Sequence, residues 1–355
     1  MNRCVIAIVL VSLAMVGGCK PKLAHGAEME KFAMSVVPVE HTVKFKGAGG
    51  FELEGTLMVP AGKQDAVYPA VLLLPGSGPT DRDGNQPSLK TDVLKQIAVA
   101  LAKTGIVTFR FDKRAVAKYA AQWPKKPEDF GPWFSWDNHI ADGMAAYKAM
   151  RDSVQVDKKN CAILGHSEGG SIALAMSPRA RPQVLILIGT IARPIDVVIH
   201  DQLSRNLAPL KNGKELLAAN DRISKEIQRT GQNPPDVPTE LKSLYNPSVG
   251  IYLQQLMALR PLELLQKFQG SVLVMNGESD VQVDPKLDAQ VLSDVSPKTK
   301  ESRLFVVPLA SHCLKAVKKP GDDPYGGDVV PDALEAIQRF CVDTIGGKMP
   351  EGSGE

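Results

Sequence analysis

The sequence predicts an α/β protein: a mostly parallel sheet with helices on both faces, opened by an antiparallel hairpin and interrupted late by a helical insertion. Three observations carry this. Short apolar runs of strand length alternate with longer segments of helical periodicity. The first structured stretch alternates apolar and polar residues on either side of a Gly-rich break. One segment, residues 194–270, is too long and too helix-rich to be an ordinary connection between two strands.

Taken in order, "VKFKGAGGFELEGTLMVPAG" from Val43 reads as the hairpin. "YPAVLLLPGSG" is continuously apolar, as expected of a strand buried on both faces. "SLKTDVLKQIAVALAKTG" reads as a helix stopped by Gly105, "IVTFRFD" as strand, "DNHIADGMAAYKAMRD" as helix, "CAILG" as strand, "GSIALAM" as helix and "QVLILIG" as strand. These make residues 38–193 the first part of the core. The insertion, residues 194–270, holds "KELLAANDRISKEIQRT" and "GIYLQQLMALRPLELLQKF" and is expected to cap the core. Residues 271–346 complete it with the strands "SVLVMNG" and "SRLFVVPLA" and the helices "PKLDAQVLSDV" and "VPDALEAIQRFCVDTIG". Residues 347–355 are expected to be a disordered tail.

The chain has 355 residues, 44% of them hydrophobic, so it can bury a large core. Its formal net charge of +3 builds no field for nucleic acid. Residues 1–18, with Arg3 ahead of an apolar run, read as a signal peptide. Val16-Gly17-Gly18-Cys19 resembles the lipobox of bacterial lipoproteins. That resemblance implies a lipidated Cys19 as the new N-terminus, with residues 19–37 as a linker. Lys20 in place of Asp then implies sorting to the periplasmic face of the outer membrane. Cleavage near Ala24-His25-Gly26, releasing a soluble periplasmic or secreted protein, is the competing reading. Cys161, Cys313 and Cys341 are left, so at most one disulfide can form, and their spacing fits no zinc site.

The chemistry concentrates at "CAILGHSEGGSIALAM". Gly165-His166-Ser167-Glu168-Gly169 is a G-x-S-x-G pattern between an expected strand and an expected helix, the setting in which a strained turn exposes a nucleophilic serine. A serine needs a base, and a neutral imidazole oriented by a carboxylate supplies one. His25, His41 and His139 precede the serine, His200 opens the insertion, and His166 adjoins Ser167, where the turn should aim its ring elsewhere. His312, between the last strand and the last helix, has the chain order such a base requires. "VLVMNGESDVQVDP" offers two acids. Asp280, directly off a strand, is the chosen partner for His312, and Asp284, before Pro285, suits a helix cap. Negative charge developing on a substrate carbonyl needs N–H donors, for which the amides of Glu168 and Ser77 are the candidates.

With these residues in place, the chain resembles the α/β-hydrolase superfamily, in particular secreted bacterial esterase-like members. The motifs are "GSGPTDRDGN" from Gly76 to Asn85, "GFELEGTLMVP" from Gly50 to Pro60, "FRFDKRAV" from Phe109 to Val116, "GHSEGG" from Gly165 to Gly170 and "GESDVQV" from Gly277 to Val283. The resemblance implies an exported serine carboxylesterase cleaving small or medium acyl esters, with Ser167, His312 and Asp280 as triad, and with neither metal nor cofactor. Arg114-Ala115-Val116-Ala117-Lys118-Tyr119 departs from the family's R-G-x-G-x-S, which affects the rim of the site and not the triad. An aminopeptidase-like or amide-cleaving hydrolase is the alternative enzyme, and a non-catalytic binding protein the alternative class. The short stretch between Cys19 and the hairpin leaves no room for a domain that would exclude folded proteins, which favours esters. Two groups have open roles. Trp123, Phe130, Trp133, Phe134 and Trp136 suit substrate contact or core packing, and Leu253, Leu256, Met257 and Leu259 suit an acyl pocket or the packing of the cap.

Overall fold

Side-chain alternation along one strand sets the architecture. In β3 (Tyr68–Leu74) the side chains of Leu72 and Leu74 enter one apolar cluster and those of Val71 and Leu73 the other, all fully buried, so both faces of the sheet must be covered. The computed structural model that shows this describes residues 37–62, 65–298 and 300–349. The proposed signal peptide and Cys19 lie outside the described residues, as do residues 20–36 of the linker and 350–355 of the tail.

The remaining strands are β1 (Val39–Lys46), β2 (Glu52–Val59), β4 (Val107–Phe111), β5 (Val156–His166), β6 (Val184–Ile188), β7 (Ser271–Gly277) and β8 (Ser302–Val307). They form one sheet in the order β1-β2-β4-β3-β5-β6-β7-β8. The hairpin β1–β2 is antiparallel, and β2 also runs antiparallel to β4, while β4 through β8 are mutually parallel. One face is covered by α1 (Val93–Ala102) and α10 (Pro331–Ile345). The other is covered chiefly by α3 (Trp136–Arg151) and α4 (Glu168–Ala180), with the short α2 (Pro127–Trp133) leading into α3. This is the α/β-hydrolase fold.

Between β6 and β7 the insertion consists of α5 (Ile195–Leu207), α6 (Gly213–Thr230), α7 (Gly250–Met257) and α8 (Pro261–Lys267). The first three pack on one another, whereas α8 packs on α4 and so rejoins the layer beside the sheet. The expected helix over residues 285–295 opens with a wide turn, Pro285–Ala289, before α9 (Gln290–Val295). Where the sequence suggested disorder from residue 347, the Lys348 amide donates to Thr104 O at 2.8 Å, so the described start of the tail is tied to the turn after α1. Cys161, Cys313 and Cys341 are all buried free thiols.

Candidate active site

The site lies beyond the carboxyl ends of the parallel strands, where loops from different strands converge. At the end of β5 the chain reverses into α4 so tightly that a Cβ on Gly165 would sit 2.3 Å from the Gly169 backbone, and one on Gly169 2.2 Å from Leu74 O. Ser167 occupies the tip with φ 56° and ψ −122°, a conformation that costs a side-chain-bearing residue about 1–3 kcal/mol. Its amide donates to Ile188 O on β6 at 2.7 Å, which fixes the turn against the neighbouring strand.

Asp280 and His312 meet beside it. After β7, Asp280 Oδ2 accepts from His312 Nδ1 at 2.7 Å, and Asp280 Oδ1 accepts the amides of Gln282 and Val283 at 2.7 and 3.0 Å. Because the carboxylate accepts at Nδ1, the neutral imidazole carries its proton there and leaves the Nε2 lone pair free. Asp284, four residues on, caps the turn that begins at Pro285, accepting from Lys286 N and Leu287 N. Ser167 and His312 line one cavity of about 210 Å³. Among the described residues no hydrogen bond joins Ser167 Oγ to His312, a contact that in unliganded sites is often long.

His166 also lines the cavity, and its ring has a separate task. Its Nε2 donates to the His312 carbonyl at 3.0 Å and its ring lies 4.9 Å from the His312 ring, so it props the loop that carries the imidazole. Burial, reinforced by His312, pushes His166 down to about 3, so the ring is neutral at ordinary pH. The adjacency of a histidine to the serine was visible in the sequence; the carbonyl it reaches, 146 residues away, was not.

The charged residues of the "GSGPTDRDGN" loop explain its shape. Asp81 Oδ1 accepts the amides of Asp83 and Asn85, Arg82 bridges Glu54 and Asp112, and Asp83 pairs with Arg110. This pins Gly76 and Ser77 at the cavity edge. The amides of Ser77 and Glu168 have no acceptor among the described residues, and both residues line the cavity. Behind them lies a buried network that the sequence did not disclose. Lys113 Nζ donates to Glu168 Oε1 at 2.6 Å and to Gly76 O at 3.1 Å, and the Tyr252 hydroxyl of α7 donates to Glu168 Oε2. Burial pushes the Glu168 carboxyl up, but the Lys113 ammonium beside it, with the hydrogen bonds from Lys113 and Tyr252, outweighs this and holds the group below the usual carboxylate value.

The cavity has two walls. Ile191, Ile195, Val198, Ile199, Leu256 and Val283 make one apolar side, largely from the insertion, and Thr80, Gln86, Ser88 and Thr91 make a neutral polar side. Leu256 thus faces the cavity, while Leu253 and Met257 are buried in the core and Leu259 packs against it. The aromatic segment Trp123 to Trp136 does not line it. Those rings stack on one another, on Phe51 and on Tyr252, as packing between α2, α3 and α7. An imidazole held by a carboxylate, a half-buried serine on a strained turn and two unpaired amides together can transfer an acyl group.

The chain is similar to known proteins in sequence and in fold. Esterase EstD of Thermotoga maritima is 25% identical over 295 residues, covering 82% of this chain but only 65% of the relative. Est1E from Butyrivibrio proteoclasticus superposes with a TM-score of 0.54 at 16% identity, over 85% of this chain and 98% of that one. A puromycin-hydrolyzing peptidase of Mycobacterium tuberculosis gives 0.54 at 19% identity, over 89% of this chain and 40% of the other. At such identities the two structures attest the fold. The family described as serine aminopeptidase, S33 matches residues 90–315, more than half of the sequence, and the chain belongs to that family of hydrolases.

Proposed function

We propose that the protein is a serine carboxylesterase for small, neutral acyl esters. The observation that carries this is the 2.7 Å hydrogen bond from His312 Nδ1 to Asp280 Oδ2 at a cavity that Ser167 also lines. In this reading Ser167 Oγ attacks the ester carbonyl while His312 Nε2 takes its proton, and Asp280 stabilises the imidazolium. The Ser77 and Glu168 amides receive the oxyanion, each such donor being worth about 3 kcal/mol. His312 then protonates the leaving alcohol, and water activated by the same imidazole releases the acid from Ser167. The name of the relative at 25% identity supports an ester substrate. Ser167→Ala is expected to cut turnover of p-nitrophenyl acetate by at least about 10⁴-fold while leaving the circular-dichroism spectrum unchanged; retained turnover overturns the assignment.

The family's description favours one other substrate, an aminoacyl amide. Holding a free α-ammonium calls for a carboxylate facing the cavity. Glu168 is the acidic residue that lines it, and both its oxygens are engaged by Lys113 and Tyr252. Faster cleavage of an aminoacyl nitroanilide than of a short acyl ester would reverse the choice. We also infer export with a lipid on Cys19, from Val16-Gly17-Gly18-Cys19. Labelling with radioactive palmitate should vanish in Cys19→Ala, and persistent labelling would refute it.

A further inference from the structure

Lys113 is a buried charge that the proposed acyl transfer leaves without a task, and it reaches two segments beside Ser167. It is 3% exposed and follows the end of β4 by two residues. Its ammonium has two partners, and each belongs to a segment that carries one of the two unpaired amides. One partner is the carboxylate of Glu168, whose own N–H lies next to Ser167. The other is the carbonyl of Gly76, which is half of the same peptide unit as the Ser77 N–H. A trans peptide is planar with its C=O and N–H opposed, so a cation that grips the carbonyl also sets the direction of the amide. It polarises that amide too, because charge drawn to the oxygen makes the N–H a stronger donor. Lys113 reaches the same loop through its backbone, donating to Thr80 O at 3.2 Å, and Thr80 Oγ1 in turn donates to Ser77 O at 2.7 Å. Tyr252 extends the chain of contacts to α7 of the insertion.

We propose that Lys113, held by Glu168, is a positioning residue that orients and polarises the Gly76–Ser77 peptide and registers it against the Glu168 amide, so that both N–H groups converge on the oxyanion. This rests on the acyl-transfer reading above. It predicts a loss confined to the transition state. Lys113→Met should lower kcat by about 10²- to 10³-fold, the range seen when one oxyanion donor is lost, with KM nearly unchanged. Binding of an alkyl trifluoromethyl ketone, which adds to the serine and presents an oxyanion, should weaken by the same factor. Lys113→Arg, which keeps a charge there, should recover part of both. If the bare Glu168 carboxylate unfolds the single variant, Lys113→Met with Glu168→Gln leaves a neutral pair and is assayed in the same way.

A folded variant with parental kcat overturns the proposal. So does one that loses kcat while binding the ketone as tightly as the parent, since that is what a merely structural role would give. Failure of the underlying reading looks different: the parent protein would then not react with a fluorophosphonate at Ser167, whatever happens at Lys113.

Discussion

Lys113 and Arg114 are consecutive residues, both buried, both paired with a buried carboxylate, and they do opposite kinds of work. Arg114 meets Asp142 of α3 through two hydrogen bonds of 2.7 Å, donates to Trp133 O at 2.7 Å, and lies 5.4 Å from the ring centres of Phe51 and Trp133. Asp142 also accepts the Ala48 amide at 2.8 Å, so this pair fastens the turn of the first hairpin to the helical layer. Every partner is scaffold. Lys113 reaches Glu168, next to Ser167, and the Gly76 carbonyl, and Glu168 lines the cavity. Burial of a charge is therefore no sign of function by itself; what the charge holds decides. The rigid guanidinium fork suits a fixed bidentate joint, whereas an ammonium is a point charge that can serve a carboxylate and a carbonyl together.

The largest separation between the two should appear on breaking the scaffold pair. Arg114→Met leaves the Asp142 carboxyl buried without its cation, a loss of roughly 3–5 kcal/mol in stability measured by urea unfolding. The kcat of the fraction that remains folded should equal that of the parent, because Arg114 holds nothing at the cavity. The loss should also depend on pH. Burial already pushes the Asp142 carboxyl up, with Arg114 opposing it. Without Arg114 the native state retains a proton that the unfolded chain gives up, so the deficit relative to the parent grows from pH 5 to pH 8. An equal deficit at both would mean that the pair is not held as described.

The site side has titratable neighbours of its own, and acid should weaken it. His139 packs against Tyr252 and is fully buried; burial, together with Lys113, pushes it down to about 3. His166 is held at about 3 as well. Between pH 6.5 and 3 the unfolded chain binds two protons that the native state refuses. Stability therefore falls as pH drops, at a slope that approaches roughly 1.4 kcal/mol per pH unit for each group, or about 2 kcal/mol for the two together between pH 6.5 and 5.5. His139→Phe should halve that slope. An unchanged slope would mean that the ring is not what refuses the proton.

These networks mark the boundary of what the sequence disclosed. The fold was legible because each strand and helix advertises itself locally: the apolar run before Pro75, the helical period ending at Gly105, and the Gly-rich break of the hairpin each need only their own residues. The positions gathered at the cavity were legible for a related reason. Ser167 sits in a motif whose glycines answer a steric demand within five residues, and Asp280 and His312 lie in the short loops just beyond β7 and β8. Strand order was not legible, since the pairing of β2 with β4 joins residues from distant parts of the chain. Lys113 was hidden for the same reason. In "FDKRAVAKY" its charge reads as a solvated strand end, and its carboxylate lies 55 residues further on, brought near only once β4 and β5 flank β3. The aromatic segment left its role open, because rings that pack against α7 and rings that contact a ligand have the same composition.

The smallest expected effect gives the sharpest contrast. If the scaffold pair is only a joint, replacing both partners by neutral groups should cost much less than removing one. Arg114→Met with Asp142→Asn removes both charges together, and the Asn carbonyl can still accept the Ala48 amide. Trp133 O keeps the hydrogen bond from Asn138 Nδ2 at 3.1 Å. What is lost is the bidentate contact, offset by the desolvation it required, so the net change should be about 1–2 kcal/mol, with kcat at the parental value. The same neutralisation at Lys113 and Glu168 should restore stability as well, yet the Gly76–Ser77 peptide would still lack its cation, and kcat would stay low. Two double variants of like chemistry, one residue apart on the basic side, would then differ in turnover and not in folding. Equal turnover in both would make the two pairs equivalent joints, and the distinction between neighbouring cations would fall.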